Sequence, residues 1–373
     1  MKIGIITLHR VPNYGSALQA YALQKYIQQQ TNNDVELIDY QFPNEFHRNK
    51  ISVVKKLRGI VRITLEYLIR KRLKRENLFL LFYKQHLKLT SVYYKNIKQI
   101  HDIPPAYDLY VTGSDQVWNV ETLKNDPVMY CSFAPQNARK IAFGASFTIK
   151  SLPREYRSEV KKRLSEYSYI GVREFSSLGI LDSLPLNEGI KRMCTCDPTL
   201  LLDAKDYHVL AKQSELKIDG DYILVYLLNY AFNPEPAISI IAEMAAKHYD
   251  CQIIYFGDRH FDYKGKYRII YGIGPCEFAY LFENAKFVIT SSFHGTMFSL
   301  INRKSFIAVL PDRNHNDCRI KDVLTLIGLD NNGIESQQEN PVVTFLNPFT
   351  EEVERNLNKY IDESKAFLQQ AIS

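Results

Sequence analysis

Residues 2–38, KIGIITLHRVPNYGSALQAYALQKYIQQQTNNDVELI, decide the fold of this chain. The run Lys2–Leu8 is typical of a buried strand, and Ser16–Gln29 carries Leu, Tyr and Ala at the spacing of one helix face. A second strand is predicted at Val35–Ile38. Two strands joined through a helix form a βαβ unit, in which both strands lie parallel in one sheet. The sequence therefore predicts an α/β domain.

The strand pattern continues along the first half of the chain. Short apolar runs predict further strands at Leu109–Thr112, Lys140–Ala145, Tyr169–Val172 and Met193–Cys196. Such strands, separated by helical or irregular stretches, are typical of a parallel sheet with both faces covered. The polar stretch Ala204–Asp221 that follows is predicted to be a linker.

A second alternating series follows the linker. Its predicted strands are Tyr222–Leu228, Cys251–Phe256, Arg268–Tyr271, Lys286–Thr290 and Ser305–Leu310. Its predicted helices are Glu235–Tyr249, Glu277–Asn284, Thr296–Ile301 and Ile320–Ile327. A last helix, Glu351–Leu368, is predicted to begin after an N-cap at Thr350 and to pack back across the first domain.

These patterns predict two Rossmann-like, doubly wound domains that face each other across a cleft, the arrangement called GT-B-like. The predicted first domain is residues 1–205, joined by the C-terminal helix 349–373, and the second is residues 216–340. The chain has 373 residues, of which 46% are hydrophobic, so it can bury two cores.

Composition also excludes some classes of protein. No apolar stretch approaches the roughly 18–20 residues needed to cross a bilayer, and the start of the chain lacks a signal-peptide pattern. The net charge of +6 is mild for a chain of this length. We expect a cytoplasmic protein that binds no nucleic acid.

The positive charge is concentrated in residues 47–76. Between His47 and Glu76 there are eleven Lys or Arg residues against two Glu, interleaved with Ile, Val and Leu at helical spacing. Basic amphipathic helices of this kind rest on anionic membrane surfaces or receive a lipid-linked diphosphate. A solvated basic helix face explains the pattern equally well. Peripheral contact with the inner face of the plasma membrane is one of these two interpretations.

Familiar cofactor-binding patterns are missing from the sequence. The turn His9–Gly15 after the first strand offers one glycine, whereas a dinucleotide-binding turn needs three. The G-x-x-x-x-G-K-[ST] loop that cradles ATP phosphates is absent. The six cysteines are scattered, and no cluster of His and carboxylates has the spacing of metal ligands. We expect neither a resident cofactor nor a metal ion.

The clearest candidate site is Thr290–Thr296, TSSFHGT, between a predicted strand and a predicted helix. Free N–H groups and the helix dipole make a helix N-terminus favourable for phosphate or carboxylate. A histidine beside that anion can exchange a proton near neutral pH. The residues predicted to hold the anion are Ser291, Ser292, His294, Gly295 and Thr296. In the structural alternative, His294 satisfies a buried carbonyl group and Ser291 caps the helix.

Other strand ends carry polar residues that suit a site at the carboxyl edge of the sheets. Arg173 is the best candidate for holding a carboxylate or phosphate through two N–H groups. Its alternative is an internal ion pair with Glu174 or Asp197, and Arg319 faces the same ambiguity. The turn after Leu109–Thr112 carries an acid and an amide suited to sugar hydroxyls, in Ser114, Asp115 and Gln116.

Several motifs together resemble those of the polysaccharide pyruvyltransferase family, and the similarity runs through nearly the whole chain. They are, in order, Asn13–Gly15 with Ala17–Gln24, Gly113–Asn119, Gly144–Phe147, Val172–Glu174, Asp197–Leu200 and Ser292–Thr296. Some members of the family have an Arg two residues before the signature histidine, where this chain has Ser292.

The resemblance implies a GT-B-like transferase that takes phosphoenolpyruvate as donor, forms a pyruvate ketal across two hydroxyls of a sugar and releases phosphate. It implies that His294 and Arg173 are catalytic, with His294 protonating the methylene carbon and Arg319 sharing the donor's charge. The acceptor is expected in the first domain, at Asn13, Tyr14, Gly15, Ser114, Asp115 and Gln116. That acceptor would be a surface polysaccharide, such as a capsule or exopolysaccharide, or its lipid-linked precursor.

Two other functions remain open on the sequence. A GT-B glycosyltransferase would share the fold but needs a surface for the base and ribose of a nucleotide sugar, for which Glu277 is the one candidate residue. A non-catalytic member of the family would bind sugars or partners and no phosphorylated donor.

Overall fold

Two parallel six-stranded sheets form the framework of the protein. The structure is a computed structural model that describes residues 1–31, 33–41, 60–228, 232–257, 261–312 and 317–373, without the side chains of residues 60–71. Helices connect the strands of both sheets. The predicted α/β class, with two doubly wound sheets, is confirmed.

The first sheet has the strand order β2-β1-β3-β4-β5-β6, and all its pairings are parallel. Its strands are β1 (Lys2–Ile6), β2 (Asp34–Leu37), β3 (Leu109–Thr112), β4 (Arg139–Ala145), β5 (Tyr169–Val172) and β6 (Lys191–Cys194). The prediction placed β6 two residues too late, because this edge strand begins with Lys191 and Arg192 rather than with apolar residues. Its register is set by pairing with β5.

The helices of the first part of the chain cover both faces of this sheet. They are α1 (Tyr14–Thr31), α2 (Ile60–His86), α3 (Ile97–Asp102), α4 (Val120–Leu123), α5 (Arg154–Leu164) and α6 (Phe175–Asp182). One face is packed by Trp118, which stacks on Tyr130 with ring centres 5.6 Å apart. The other face joins the core that continues into the second domain.

The second sheet has the order β12-β11-β10-β7-β8-β9, again with parallel pairings only. Its strands are β7 (Tyr222–Leu227), β8 (Gln252–Gly257), β9 (Tyr267–Ile269), β10 (Phe287–Thr290), β11 (Phe306–Leu310) and β12 (Gly333–Glu335). The remaining helices are α7 (Ala204–Ala211), α8 (Ala237–Tyr249), α9 (Pro275–Asn284), α10 (Phe293–Ile301), α11 (Arg319–Ile327) and α12 (Glu351–Ile372). The short strand β12 carries no sequence signal that we recognised.

The predicted linker is partly helical, which corrects the sequence analysis. Asp203 and Asp206 each accept a hydrogen bond from the other's backbone N–H, at 3.0 and 3.3 Å, and so form a capping box for α7. Tyr207 on this helix is buried, with its ring edge-on to Phe298 of the second domain at 4.8 Å. This stretch is polar because α7 has a polar exposed face, and its buried apolar residues lie on the opposite face.

The C-terminal helix α12 returns to the first domain. Thr350 is its N-cap and accepts a hydrogen bond from the backbone of Val353 at 3.3 Å. Ser364 accepts a hydrogen bond from the backbone N–H of Cys196 at 2.9 Å. Tyr360 donates to the carbonyl oxygen of Thr195 at 3.0 Å. These contacts hold α12 beside the turn that follows β6.

Helix α2 contacts both domains. Arg75 donates to the carbonyl oxygen of Pro12 at 2.8 Å, and the Cβ of Leu78 lies so close to Gly274 that a Cβ added there would be 2.7 Å away. The first part of the predicted basic segment, residues 47–59, lies outside the described residues. Among the helices that the structure describes, none combines the length and apolar content needed to cross a membrane.

Candidate active site

The candidate site lies at the carboxyl ends of both sheets, at their switch points. In the first sheet the switch is between β1 and β3, and Gly113–Gln116 follows β3. In the second sheet it is between β7 and β10, and Ser291–Gly295 follows β10. Ligands of open parallel sheets bind in the crevice outside such positions. The topology therefore brings the polar residues of both domains to one cleft.

His294 reaches from the second domain to the first. It is the second residue of α10 and is 8% exposed. Its ring lies against Gly15 of α1, where an added Cβ would be 1.9 Å from His294 Nδ1. The other ring nitrogen, Nε2, lies 3.5 Å from Asp197 Oδ2 and has no hydrogen-bond partner among the described residues. Gly15 thus provides the space that the imidazole occupies.

Asp197 is the carboxylate at the centre of the cluster. Its Oδ1 accepts hydrogen bonds from the backbone N–H and the hydroxyl of Thr199, at 3.0 and 2.7 Å. Its Oδ2 accepts from Arg173 Nη1 at 2.8 Å. Burial tends to raise the pKa of Asp197, but the charges of His294 and Arg173 outweigh it and hold the pKa well below its usual range. Asp197 is therefore ionised at neutral pH.

Arg173 is 1% exposed and is only partly satisfied by protein groups. Its Nη1 donates to Asp197 and, at 3.4 Å, to the hydroxyl of Ser114. The internal pair with Asp197, which the sequence left as an alternative, is thus present. Nε and Nη2, which form one edge of the guanidinium, have no hydrogen-bond partner among the described residues. An anion placed at that edge would receive two parallel N–H groups.

The ring of Phe293 contacts two guanidinium groups. Its ring lies 4.7 Å from Cζ of Arg173 and 5.2 Å from Cζ of Arg319, both within the range of cation–π attraction. Arg319 also donates to Asp317 from Nε at 2.8 Å and from Nη2 at 2.6 Å. Burial tends to raise the pKa of Asp317, but Arg319 outweighs it and lowers the pKa to about 2. Both predicted arginines are therefore held in fixed places by protein groups.

Asp115 adds a second carboxylate to the cluster. It accepts hydrogen bonds from the Ser16 hydroxyl and, at 2.9 Å, from the backbone of Gln116. Its Oδ1 is 3.7 Å from Arg173 Nη2. Burial tends to raise the pKa of Asp115, but the charges of Arg173 and His294 lower it below the ordinary value. Its φ of 81° is a backbone conformation that non-glycine residues rarely adopt, which is a feature common at functional sites.

The helix after β10 begins earlier than predicted, at Phe293 instead of near Thr296. Ser292 is the N-cap and accepts a hydrogen bond from Gly295 N at 3.3 Å. Ser291, which the structural alternative made the cap, instead accepts from Leu228 N at 3.2 Å. The early start places His294 in the first helical turn. The first-turn N–H groups of Phe293 and His294 then have no intrahelical acceptor.

Gly295 and Thr296, the other two residues predicted to hold the anion, make contacts within the protein. A Cβ on Gly295 would lie against the side chain of Thr290, including 3.1 Å from its Cβ. The close approach of α10 to β10 therefore explains glycine at this position, and a contact of Gly295 with an anion stays a prediction. Thr296 donates its hydroxyl to the carbonyl oxygen of Ser292 at 3.1 Å.

Three other residues, Asn13, Tyr14 and Gln116, were also predicted to bind the acceptor. Asn13 Oδ1 accepts a hydrogen bond from Ser16 N at 3.2 Å, at the start of α1. Tyr14 is buried in an aromatic cluster of the second domain, stacked on Phe278 with ring centres 5.1 Å apart. Gln116 is half-buried. The roles of these residues in binding an acceptor stay predictions.

The structure brings predicted donor and acceptor residues into one cluster. Gly15, Ser114 and Asp115 of the first domain lie with Arg173 and His294. From the sequence, Asp197 was considered only as an alternative ion-pair partner of Arg173, and Phe293 was given no role, although both belong to the motifs quoted above. Each lies three residues after the end of a strand, Asp197 after β6 and Phe293 after β10, and this position was the signal that could have identified them.

Two further observations concern alternatives raised by the sequence. Glu277, the one candidate for a ribose, accepts a hydrogen bond from Gly274 N at 2.8 Å in the capping box of α9. In the ranges that the structure describes, no group of three His, Cys, Asp or Glu side chains is placed to hold a metal ion.

Comparison with known proteins finds one family with a similar sequence and several solved structures with a similar fold. A sequence model described as polysaccharide pyruvyl transferase matches residues 13–313. No curated protein sequence matches significantly.

Among solved structures, a UDP-GlcNAc 2-epimerase from Methanocaldococcus jannaschii, in complex with UDP-GlcNAc and UDP, has a TM-score of 0.52 at 16% identity. That alignment covers 97% of this chain and 93% of the epimerase chain. The UDP-GlcNAc 2-epimerase from Neisseria meningitidis, bound to UDP-GlcNAc, has a TM-score of 0.51 at 11% identity, with 100% of both chains covered. At this identity the likeness concerns the fold alone, and it agrees with the predicted GT-B-like arrangement.

Proposed function

The chain belongs to the polysaccharide pyruvyl transferase family, and from this premise we propose that it transfers the enolpyruvyl group of phosphoenolpyruvate to a sugar. Two hydroxyls of the sugar become bridged by a pyruvate ketal, and phosphate is released. The family is one of transferases, whereas the donor and the ketal product are our proposal.

The observation that carries this proposal is the edge of Arg173 formed by Nε and Nη2, which has no hydrogen-bond partner among the described residues. A buried guanidinium with two unsatisfied N–H groups costs free energy, which an incoming carboxylate or phosphate offsets. The first-turn N–H groups of Phe293 and His294 offer a second place for an anion. Phosphoenolpyruvate carries a carboxylate and a phosphate, so we assign its carboxylate to Arg173 and its phosphate to the N-terminus of α10.

In this arrangement His294 acts on the carbon–carbon double bond of the donor. It gives a proton to the methylene carbon, which becomes a methyl group, while one sugar hydroxyl bonds to the neighbouring carbon. The second hydroxyl then displaces phosphate from that carbon and closes the ketal. One of the two hydroxyl protons restores the proton that His294 gave to the methylene carbon, and the other leaves with phosphate.

Calorimetric titration with phosphoenolpyruvate, beside uridine and cytidine nucleotides, tests the proposal. We expect saturable binding of phosphoenolpyruvate only. Arg173→Ala should weaken it by about 1.5–3 kcal/mol, the range for hydrogen bonds to charged groups. Arg173→Lys, which keeps the charge and loses the paired N–H edge, should bind more weakly than the wild type.

Two further variants and two alternative outcomes make this titration decisive. Arg192→Ala removes an arginine paired with Asp182, at 3.1 Å, outside the cluster and should leave the affinity unchanged. His294→Ala should bind the donor but lose proton transfer. Binding of a nucleotide in place of phosphoenolpyruvate would favour the glycosyltransferase, and binding of neither would favour a non-catalytic member of the family.

We also propose that the acceptor is carried on a lipid diphosphate and that α2 approaches the membrane. In the part of this helix whose side chains the structure describes, three leucines are exposed, although leucines are more often buried. The exposed fractions are 47% for Leu73, 54% for Leu80 and 46% for Leu81. Leu73 lies within the basic segment 47–76, and Leu80 and Leu81 follow it. Helix α2 also contacts the loop at Pro12 beside the cleft. Apolar residues flanked by basic ones are typical of helices that lie on anionic membranes.

Sedimentation with liposomes measures this contact. The wild type should bind vesicles that contain anionic lipid and dissociate as salt is added, because screening weakens the attraction. The double variant Leu80→Ser and Leu81→Ser should bind less, whereas Val209→Ser, on the exposed face of α7, should not differ from the wild type. Equal binding to neutral and anionic vesicles would contradict the proposal.

A further inference from the structure

Asp197 is placed to act on two groups at once. Its Oδ1 is fixed by Thr199, so the carboxylate cannot rotate freely, and its Oδ2 faces Arg173 Nη1 at 2.8 Å and His294 Nε2 at 3.5 Å. Arg173 belongs to the first domain and His294 to the second. One carboxylate oxygen therefore joins the predicted anion-binding residue to the predicted proton donor across the cleft.

We infer that Asp197 is a positioning residue that holds His294 and Arg173 in register and so assembles the active site from the two domains. This inference rests on the proposed function. A carboxylate that fixes one nitrogen of an imidazole sets the orientation of the ring and the place of its proton. Asp197 touches neither the donor nor the reacting carbon in this scheme; it acts through its two neighbours.

The surroundings of His294 leave few other groups for this role. Nδ1 lies on the side of Gly15, which has no side chain to orient it. Among the described residues Nε2 has no hydrogen-bond partner, and its ion-pairing neighbour is Asp197. The second carboxylate, Asp115, is already occupied by Ser16 and Gln116. Removing the charge of Asp197 should therefore allow the imidazole of His294 to reorient, while the histidine itself remains in the protein.

The first test is proton NMR of the imidazole N–H groups, with and without phosphoenolpyruvate. An N–H proton held by a buried carboxylate resonates far downfield and exchanges slowly with water. We expect one such resonance to disappear in both Asp197→Asn and His294→Gln. A missing His294 resonance in the wild type, or one that persists in Asp197→Asn, would overturn the inference.

A matched control comes from a second cluster of the same composition. Asp39 accepts from Arg10 Nε at 2.6 Å and lies 3.3 Å from His9 Nε2, so it too is a buried carboxylate between an arginine and a histidine. Asp39→Asn should remove a resonance of His9 and keep that of His294. If Asp197→Asn does not fold, Thr199→Val, which loosens Oδ1 but keeps the charge, should shift the His294 resonance upfield; an unchanged resonance would count against the inference.

The second test separates binding from reaction. Asp197→Asn should bind phosphoenolpyruvate within about threefold of the wild-type affinity, because an amide oxygen at this position still accepts a hydrogen bond from Arg173 Nη1 and the edge formed by Nε and Nη2 remains available. With an acceptor that the wild type uses, kcat should fall about 100-fold, the scale of a misplacement near 1 Å. Retention of kcat would overturn the inference. If the wild type binds no phosphoenolpyruvate, the proposed function fails, and the NMR experiment without donor still decides the role of Asp197.

Discussion

Replacing Gly15 with alanine is the perturbation that most directly tests the contact between the domains. A Cβ at this position would lie 1.9 Å from His294 Nδ1 and 2.2 Å from Cγ, whereas ordinary van der Waals contact begins at 3.4 Å. The ring and the helix must therefore separate by about 1.5 Å, the difference between 3.4 and 1.9 Å. Both residues are buried, so the separation opens the cleft between the domains.

The magnitude follows from the cost of overpacking. Forcing an extra methyl group into a packed site costs about 1–3 kcal/mol. If the donor binds only when His294 lies against Gly15, this cost appears in the affinity, which should fall between about fivefold and 150-fold. Alanine is the better helix former by about 1 kcal/mol, which offsets part of the overpacking cost, so the free energy of unfolding should fall by no more than about 2 kcal/mol. The expected result is a protein that still folds and binds phosphoenolpyruvate weakly.

Calorimetry with phosphoenolpyruvate and urea denaturation measure the two quantities. Gly179→Ala is the matched control, because Gly179 also lies in a helix, α6, and a Cβ there has no atom within 4 Å. This control should keep its affinity and gain stability. If Gly15→Ala binds the donor as tightly as Gly179→Ala does, His294 does not lie against Gly15 in the donor complex and the reasoning is refuted.

Two further predictions concern stability. Because Arg319 lowers the pKa of Asp317 from 3.8 to about 2, the pair stabilises the folded state above the unfolded pKa, and this stability is lost as pH falls from about 4 to 2. Urea denaturation should show Asp317→Asn destabilised by roughly 2 kcal/mol at pH 7 and by less near pH 2; a pH-independent difference would contradict the pairing. Tyr360→Phe removes the hydrogen bond to the carbonyl of Thr195 and leaves that buried group unsatisfied, so it should lower the free energy of unfolding by about 1–3 kcal/mol. An unchanged urea midpoint would show that this hydrogen bond does not stabilise the folded protein.

Much of the fold could be predicted because hydrophobic periodicity is a local property. The bounds of β3 and β5 were predicted to the residue, and the resemblance to the polysaccharide pyruvyl transferase family is confirmed over residues 13–313. Elements with weak patterns were less well predicted. The edge strand β6 begins with charged residues, and α7 shows a polar face that looks like a linker.

The sequence predicted which residues form the candidate site but not the contacts between them. Position after a strand singled out Arg173, Asp115 and His294, because parallel strands place their carboxyl ends at one edge. Spacing did not reveal that Gly15 makes room for His294. Nor did it reveal that α10 begins early enough to place His294 in its first turn, since a cap depends on backbone angles as well as on residue type.

By itself, the sequence determined the α/β class, the two parallel sheets and the family, because these follow from patterns between residues near one another in the chain. The tertiary structure alone decided which partners the cleft residues take. The 2.8 Å contact of Arg173 with Asp197 joins two strand ends of the first sheet, and the 3.5 Å contact of Asp197 with His294 exists only when the second domain packs against the first. Whether a buried arginine keeps N–H groups without a hydrogen-bond partner depends on such contacts between distant residues, and no local pattern encodes them.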